Sequence, residues 1–482
     1  LLIRSLFFFL GLSLSLLTNV LAQIRSDGVN SFADSTLAMS DKPVLLSQIF
    51  VVGHKKTRKE IILRETALEA GKVYSLRQLH EQMVRDKRLV FNTRLFLTVN
   101  FNLHQVNDDA VILIIEVKER QYILPIPVLT LADRNFNDWV VNRDMDLKRI
   151  NYGVRLYHDN LTGRNDKLRI TVLQGFTRQY DLRYNLPYFD KDQKHGLGVT
   201  GVLARNNIIA VETRDHIPRF IDFRETAREI RGKGLSYTFR PNFYSFHDAG
   251  WSHTGVEIMD TVARINPDFF GEGQTLQRFN RLFYQYRRDV RDAINYPLKG
   301  SNMALSIEKF GLGGNDDLNF TQITGTYARY LDMGGGWYYS GFGAARIMTP
   351  ADQPYNRLIA LGFRQFYVRG YELDLIEGHQ FYLQKNTLRK KLIGSSYTIP
   401  KPFDKTPFST VPFAFYLKAF VDQGYVVNNL FYPNNDRLSN RYLFGYGLGL
   451  DFVTYYDLVF KLEYALTNTG AGGLFLNFRA DF

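Results

Sequence analysis

The sequence contains no cysteine. This excludes disulfides, thiolate metal sites, a cysteine nucleophile and a lipid-modified cysteine anchor. Tryptophan is scarce, with 3 residues against 38 Phe and 29 Tyr. The Gly-x-Ser-x-Gly elbow, the P-loop and His-Glu-x-x-His are all absent. No catalytic set emerges, so the chain reads as a non-enzyme with no cofactor and no metal. Beyond residue 22 no apolar run is long enough to cross a bilayer as a helix. A mature chain lodged in a membrane must then be a closed barrel, the other structure that satisfies every backbone polar group.

The 482 residues allow more than one domain. A mean hydropathy of -0.22 suits a soluble protein. It suits a membrane β-barrel equally, because only alternate residues of such a barrel face lipid. An aromatic content of 15% leans towards the barrel, which needs β-formers and aromatic girdles. The formal charge of +12 is spread along the chain without a Lys/Arg run, which argues against a nucleic-acid partner. Anionic lipid headgroups and a solvated loop surface both accommodate it.

The N-terminus reads as a secretory signal over residues 1–22. Arg4 supplies the charged segment, Leu6 to Leu17 the apolar one, and Val20-Leu21-Ala22 the small-residue cleavage site before Gln23. Residues 23–43 are small and polar and read as a linker. A compact pattern follows over 44–119. Ile49 to Gly53 forms a strand, and Thr57 with Glu60 is placed as a capping box for a helix running towards Leu68. Ser75 opens a second helix carrying Leu76, Leu79, Met83 and Leu89-Val90. Strands over Leu95 to Leu103 and Ala110 to Val117 close the unit around an Asn107-Asp108-Asp109 turn.

From residue 120 to 482 the period becomes two. Leu235, Tyr237 and Phe239 alternate with Ser236, Thr238 and Arg240, and Phe444 to Phe452 alternate with Gly445, Gly447, Gly449 and Asp451. The run shows no helical interruption. At roughly 20 residues per strand and loop it accommodates about 16 strands. Its end places Leu474, Leu476, Phe478, Ala480 and Phe482 on one face. His247, Asp248 and His253 read as polar residues of a loop, and Asn315-Asp316-Asp317 as a turn.

Two features single out residues. In Ile123 to Val128, read as the first barrel strand, Pro125 and Pro127 leave one edge short of two donors. That edge is expected to face the last strand and make a weak lateral seam with the segment ending at Phe482; a Pro-rich linker before the barrel is the other reading. Val368-Arg369-Gly370-Tyr371 is followed by Phe420-Val421-Asp422-Gln423-Gly424. Val411, Phe413, Phe415 and Leu417 form an apolar face, so Asp422, Tyr416 and Lys418 have the parity of the lumen.

The compact pattern at 44–119 resembles a POTRA domain. With Asn160-Leu161-Thr162-Gly163-Arg164, Tyr296-Pro297-Leu298-Lys299-Gly300, the Arg-Gly loop, the Asp strand and the terminal Phe, the chain resembles the BamA/TamA family of outer-membrane assembly factors (the bacterial surface antigen family). The resemblance implies a mainly β fold, a transmembrane antiparallel β-barrel with one N-terminal α+β POTRA domain in the periplasm. It implies that Arg369, Gly370 and Tyr371 tip a long loop locked inside the barrel by Asp422. It also implies unfolded outer-membrane proteins as clients, with outer-membrane lipids and accessory lipoproteins as further partners. A single POTRA departs from the principal assembly factor. A two-partner-type translocating pore, which usually carries two POTRA domains and a plug helix, and a passive channel are the alternatives.

Overall fold

The computed structural model describes residues 42–190, 192, 194–294, 296–398, 410–429, 435–454 and 458–478. The expected signal peptide, and all but the last two residues of the expected linker, lie outside the described residues. So does Phe482.

The N-terminal unit runs β1 (Pro43–Val52), α1 (Lys59–Leu63), β2 (Lys72–Ser75), α2 (Leu76–Asn92), β3 (Phe96–Asn107) and β4 (Ala110–Glu119). Its sheet has the order β2-β1-β4-β3, with β1 and β4 parallel. Strand β2 is not foreseen by periodicity: four residues are too few to show a period, and its partner is remote in sequence. Ser75 caps α2 through a reciprocal box with Gln78. Leu79, Met83 and Val90 of α2 pack with Leu46, Phe101, Leu113 and Ile115 in one core. The first helix is shorter than expected, and Arg58 rather than Thr57 is its N-cap residue. The Thr57 hydroxyl is instead used outside the unit, against Tyr122 at 2.8 Å and as the acceptor from Asn160 Nδ2 at 2.9 Å.

The remainder is built on β5 (Ile123–Leu131), β6 (Ile150–Asp159), β7 (Lys167–Gly175), β8 (Thr177–Leu186) and β9 (His195–Asn206). A hairpin of β10 (Ile208–Arg214) and β11 (Ile217–Asp222) follows. Then come β12 (Arg228–Phe239), β13 (Ser245–Ile258), β14 (Leu276–Asp289), β15 (Gly300–Phe310), β16 (Phe320–Gly334) and β17 (Trp337–Thr349). The short β18 (Ile359–Leu361) and β19 (Ile376–Glu377) lie in a long loop before β20 (Gln380–Thr398), β21 (Thr410–Val427), β22 (Tyr442–Thr454), β23 (Leu458–Thr467) and β24 (Gly472–Asn477). Sixteen of these strands form one antiparallel meander from β5 to β24, omitting β10, β11, β18 and β19. The alternation is that of a barrel in lipid. Leu235, Leu448 and Tyr464 are exposed on the outside, while Asp422, Lys418 and Asp451 are buried on the inside. No helix among the described residues is long and apolar enough to cross a membrane.

The 120–482 stretch is not free of helix. α3 (Phe136–Asn142) follows β5, and α4 (Asp260–Ile265) follows β13. Both are about two turns or less, too short for a helical period to show against the strand pattern. His247, Asp248 and His253 lie in β13 rather than in a loop. The polar side chains there mislead, because one face of each strand looks into a wet lumen and the strand ends lie at the bilayer interface. His247 packs on Phe239 and Tyr286 at the outer wall, and Asp248 accepts from Thr238 inside. Among the described residues no three His, Asp or Glu are grouped as a metal site.

The N-terminal unit is seated against one end of the barrel, here the near end. Arg58 N–H donates to Gly163 O at 3.0 Å. The Arg64 guanidinium lies 3.5 Å from the Tyr188 ring centroid, and Arg240 bridges Tyr188 at 2.8 Å and Glu65 at 3.2 Å. Tyr188, from the turn after β8, is buried in the N-terminal core itself.

Candidate functional site

The site is the tip of the long loop between β17 and β20. Arg369 is buried, and its Nε donates to Asp422 Oδ2 at 2.7 Å while Nη2 donates to Oδ1 at 2.5 Å. This is the two-toothed geometry that a planar guanidinium offers a carboxylate. The Arg369 backbone N–H adds a third bond to Asp422 at 3.1 Å. Nη2 also reaches Thr387 at 2.9 Å. The Phe-Val-Asp-Gln-Gly segment of β21 has a physical reading. Phe420 lies 4.0 Å beneath the guanidinium, Asp422 supplies the charge, and Gly424 leaves room for Val368. A Cβ at Gly445 of β22 would stand 1.9 Å from Arg369 O, so this wall admits the loop only with glycine there. Gly370 has φ +96, and Tyr371 donates to Asn468 at 2.7 Å.

The pair belongs to a longer chain of buried charges. Arg369 Nη1 is 3.5 Å from Glu463, and Glu463 is 2.9 Å from Lys418. Lys418 pairs with Asp451, which also faces Arg389 at 3.7 Å and accepts from Tyr296 at 2.9 Å. Tyr296 begins the Tyr-Pro-Leu-Lys-Gly turn at the near end. Three motifs distant in sequence are thus joined along the inner wall of β20 to β23. Glu463, Arg389 and Asp451 were not singled out from the sequence; strand parity gives the side they face but not the partner they meet.

The second feature is the junction of the outer strands of the sheet. Among the described residues β24 pairs with β23 and β5 with β6, and no ladder joins β24 to β5. Tyr122 and Asp159, then Ala132 and Arg149, are hydrogen-bonded partners across β5 and β6. Even-numbered residues of β5 therefore direct their backbone groups to β6. Pro125 and Pro127 have the other parity, on the side away from β6. The two edges are bridged by α3. The Asn137 side chain accepts from Leu476 N–H at 2.9 Å and donates to Leu476 O at 3.3 Å, standing in for a missing strand partner. Phe136 meets Phe478 edge-on with centroids 5.4 Å apart. The same segment holds the long loop: Arg134 donates to Leu373 O at 2.7 Å and Gly362 O at 3.0 Å, and Asn135 to Glu372 O at 2.8 Å. A cavity of about 500 Å³ lies between β5, the loop and β24. Asn477 donates to Glu463 at 3.0 Å, so the last strand also touches the charge chain. None of Arg134, Asn135 or Asn137 carries a sequence signal beyond the Asn135 cap.

The end remote from the N-terminal unit is covered by loops. His216, at the tip of the β10–β11 hairpin, accepts from Leu438 N–H at 3.0 Å and gives its carbonyl to Leu375. Glu377 accepts from Thr213 at 2.6 Å and Asn435 at 2.7 Å. Burial pushes Glu377 up to about 7 and holds His216 down to about 4.

A model of the Omp85 superfamily domain matches residues 160–469. No curated protein matches. Among solved structures, BamA from Haemophilus ducreyi lacking POTRA domains 1-3 is similar at 15% identity, over 90% of this chain and 83% of that one, with a TM-score of 0.56. CdiB from Escherichia coli is similar at 12% identity, over 90% and 76%, with a TM-score of 0.52. At such identities the likeness is one of fold. The family match covers well over half of the sequence, and the sixteen-stranded sheet agrees with it: the chain belongs to the Omp85 superfamily and is an outer-membrane β-barrel of the kind that inserts or translocates proteins.

Proposed function

We propose that this protein folds client β-barrels into the outer membrane, with the N-terminal unit acting as a POTRA domain in the periplasm. The observation that carries the reading is the β5–β24 junction. Among the described residues its backbone groups lack a ladder and one loop helix bridges it, and Pro125 and Pro127 withhold donors on that side. A client strand that pairs there satisfies backbone groups that lipid cannot, so the step needs no cofactor. The outer edges of the N-terminal sheet, β2 and β3, offer unfolded clients strand addition before they reach the barrel. Arg369, Gly370, Tyr371 and Asp422 act as the lock that keeps the long loop inside. Outer-membrane lipids and accessory lipoproteins are further partners.

The test is reconstitution of the mature chain in liposomes, following the folding of a urea-unfolded client barrel together with ion conductance. Faster client folding that Arg369→Glu abolishes is the expected result. No acceleration, with a large steady conductance, overturns it in favour of a translocating pore or passive channel. The pore reading draws on the same loop, which is held against the inner wall and would have to move for cargo to pass.

A further inference from the structure

On the outer wall, β9, β12, β13 and β14 carry a basic groove at the end remote from the N-terminal unit. Its volume is about 550 Å³, and it is lined by Arg205, Arg231, Lys233 and Arg278 with Glu229 and Glu257. Register explains it. Arg231 faces Gly255, which faces Arg278 on the next strand, so a residue without a side chain lies between two guanidiniums. One step along, Lys233 lies between Gly201 and His253. Glu229 is taken up by Arg205 at 2.6 Å and by Arg231. Lys233 and the Arg278 side chain have no ion pair among the described residues, and both are exposed. Four cations against two carboxylates leave the groove positive.

Its height on the barrel gives it meaning. Towards the near end the same strands carry exposed Leu197, Val199, Leu235, Leu282 and Tyr284. Below these lies a ladder in which His195 stacks on Phe239 at 5.1 Å, and Phe239 and Tyr286 pack on His247 at 5.8 and 4.9 Å. That ladder is an aromatic girdle of the kind found at a membrane interface. Arg205 lies ten residues beyond His195 on β9. At ~3.3 Å per residue and a tilt of ~40°, this is about 25 Å, the height of a barrel's apolar band. The groove therefore runs from the upper part of the apolar band, where Lys233 is in register with Gly201 six residues beyond His195, to the opposite headgroup level at Arg205, and the flexible lysine stem carries its charge towards that level.

We propose that this groove binds the phosphorylated headgroup of a lipid A-type glycolipid in the outer leaflet, with Arg231, Lys233 and Arg278 on its phosphates and the apolar wall below against its acyl chains. Arginine pairs a phosphate through two N–H bonds, and lysine adds a mobile point charge. Placing this end in the outer leaflet rests on the orientation proposed above. Binding in detergent tests the headgroup chemistry without any client-folding assay, so the two readings fail separately.

The full mature chain in detergent is titrated with lipid A, enzymatically dephosphorylated lipid A and phosphatidylglycerol, and retained lipid is read by native mass spectrometry. Wild type is expected to hold lipid A at least about tenfold more tightly than either other lipid, the scale of one charge-assisted bond. Lys233→Gln with Arg278→Gln removes that preference. Gly255→Leu removes it too, by filling the groove with every charge kept; a Cβ there meets only Arg278 Cγ, at 3.9 Å, so the strand tolerates it. Arg329→Gln, exposed near the other end of β16, leaves binding unchanged. Equal binding of phosphatidylglycerol, wild-type affinity in both groove variants, or an equal loss in Arg329→Gln overturns the proposal. Heat-modifiable gel mobility checks that each variant is folded.

Discussion

Two sides of the same barrel are held together in opposite ways. On β20 to β23 each strand is laddered to the next, with one bulge at Lys391/Ile393, and an inner row of alternating charges fixes the long loop through Arg369 and Asp422. At the β5–β24 junction no ladder is present among the described residues, and one asparagine side chain and one pair of rings cross the gap. A closed sheet needs no such inequality. Rigidity concentrated on one wall leaves the other free to open without loss of the fold.

The contrast breaks most severely at Asp422. Asp422→Ala leaves Arg369 buried without its main partner, which costs about 3–5 kcal/mol, and the heat-shift midpoint of the folded barrel should fall accordingly. Gly445→Val should act in the same direction by driving the loop tip off the wall, and cross-linking from a cysteine placed in that tip would report the displacement. A smaller, local effect is expected at the seam. Asn137→Ala removes two hydrogen bonds worth roughly 1 kcal/mol each, so the Leu476 amide should exchange several-fold faster while amides of β21 and β22 do not change. An equal rise in both regions would show that the two sides are not independent.

The smallest effect concerns pH at the covered end. Glu377, raised to about 7, is protonated in the folded protein where the unfolded chain is ionised, so its contribution falls as pH rises from about 4.5 to 7. His216, lowered to about 4, stays neutral where the unfolded chain is protonated, so its contribution rises from about 4 to 6.5. The two slopes oppose each other over most of that range. Burial also raises Asp374, which Arg437 links to Asp215 of the hairpin, to about 6, so its slope adds to that of Glu377, and hydrogen exchange in the β10–β11 hairpin of wild type, corrected for intrinsic rates, should carry only the difference of these opposed slopes. It should become faster towards acid in Glu377→Gln and faster towards neutral pH in His216→Gln.

How much of this was legible in the sequence depends on the range of the interaction. Parity alone places Asp422, Tyr416 and Lys418 inside, and all three are buried there. The start of α2 at Ser75 is local and equally readable. Asp451 has the same readable parity, but its partners Lys418, Arg389 and Tyr296 come from three other parts of the chain, and no local pattern names them. Asn137 is harder still. It lies in a seven-residue helix hidden in a strand-rich stretch, and its partner is a backbone 339 positions away. Thr57 shows the converse error: a correct residue type for a cap, used instead to join the N-terminal unit to the barrel.

The buried position of the loop tip also constrains how the molecule itself is made. Val368 to Tyr371 touch inward-facing residues of β20 to β23, and the loop is tied past the β5–β24 seam to the segment after β5. A tip held by this many wall contacts is set most directly while the first and last strands are still apart, which ties the seating of the loop to the closure of the seam in the protein's own biogenesis.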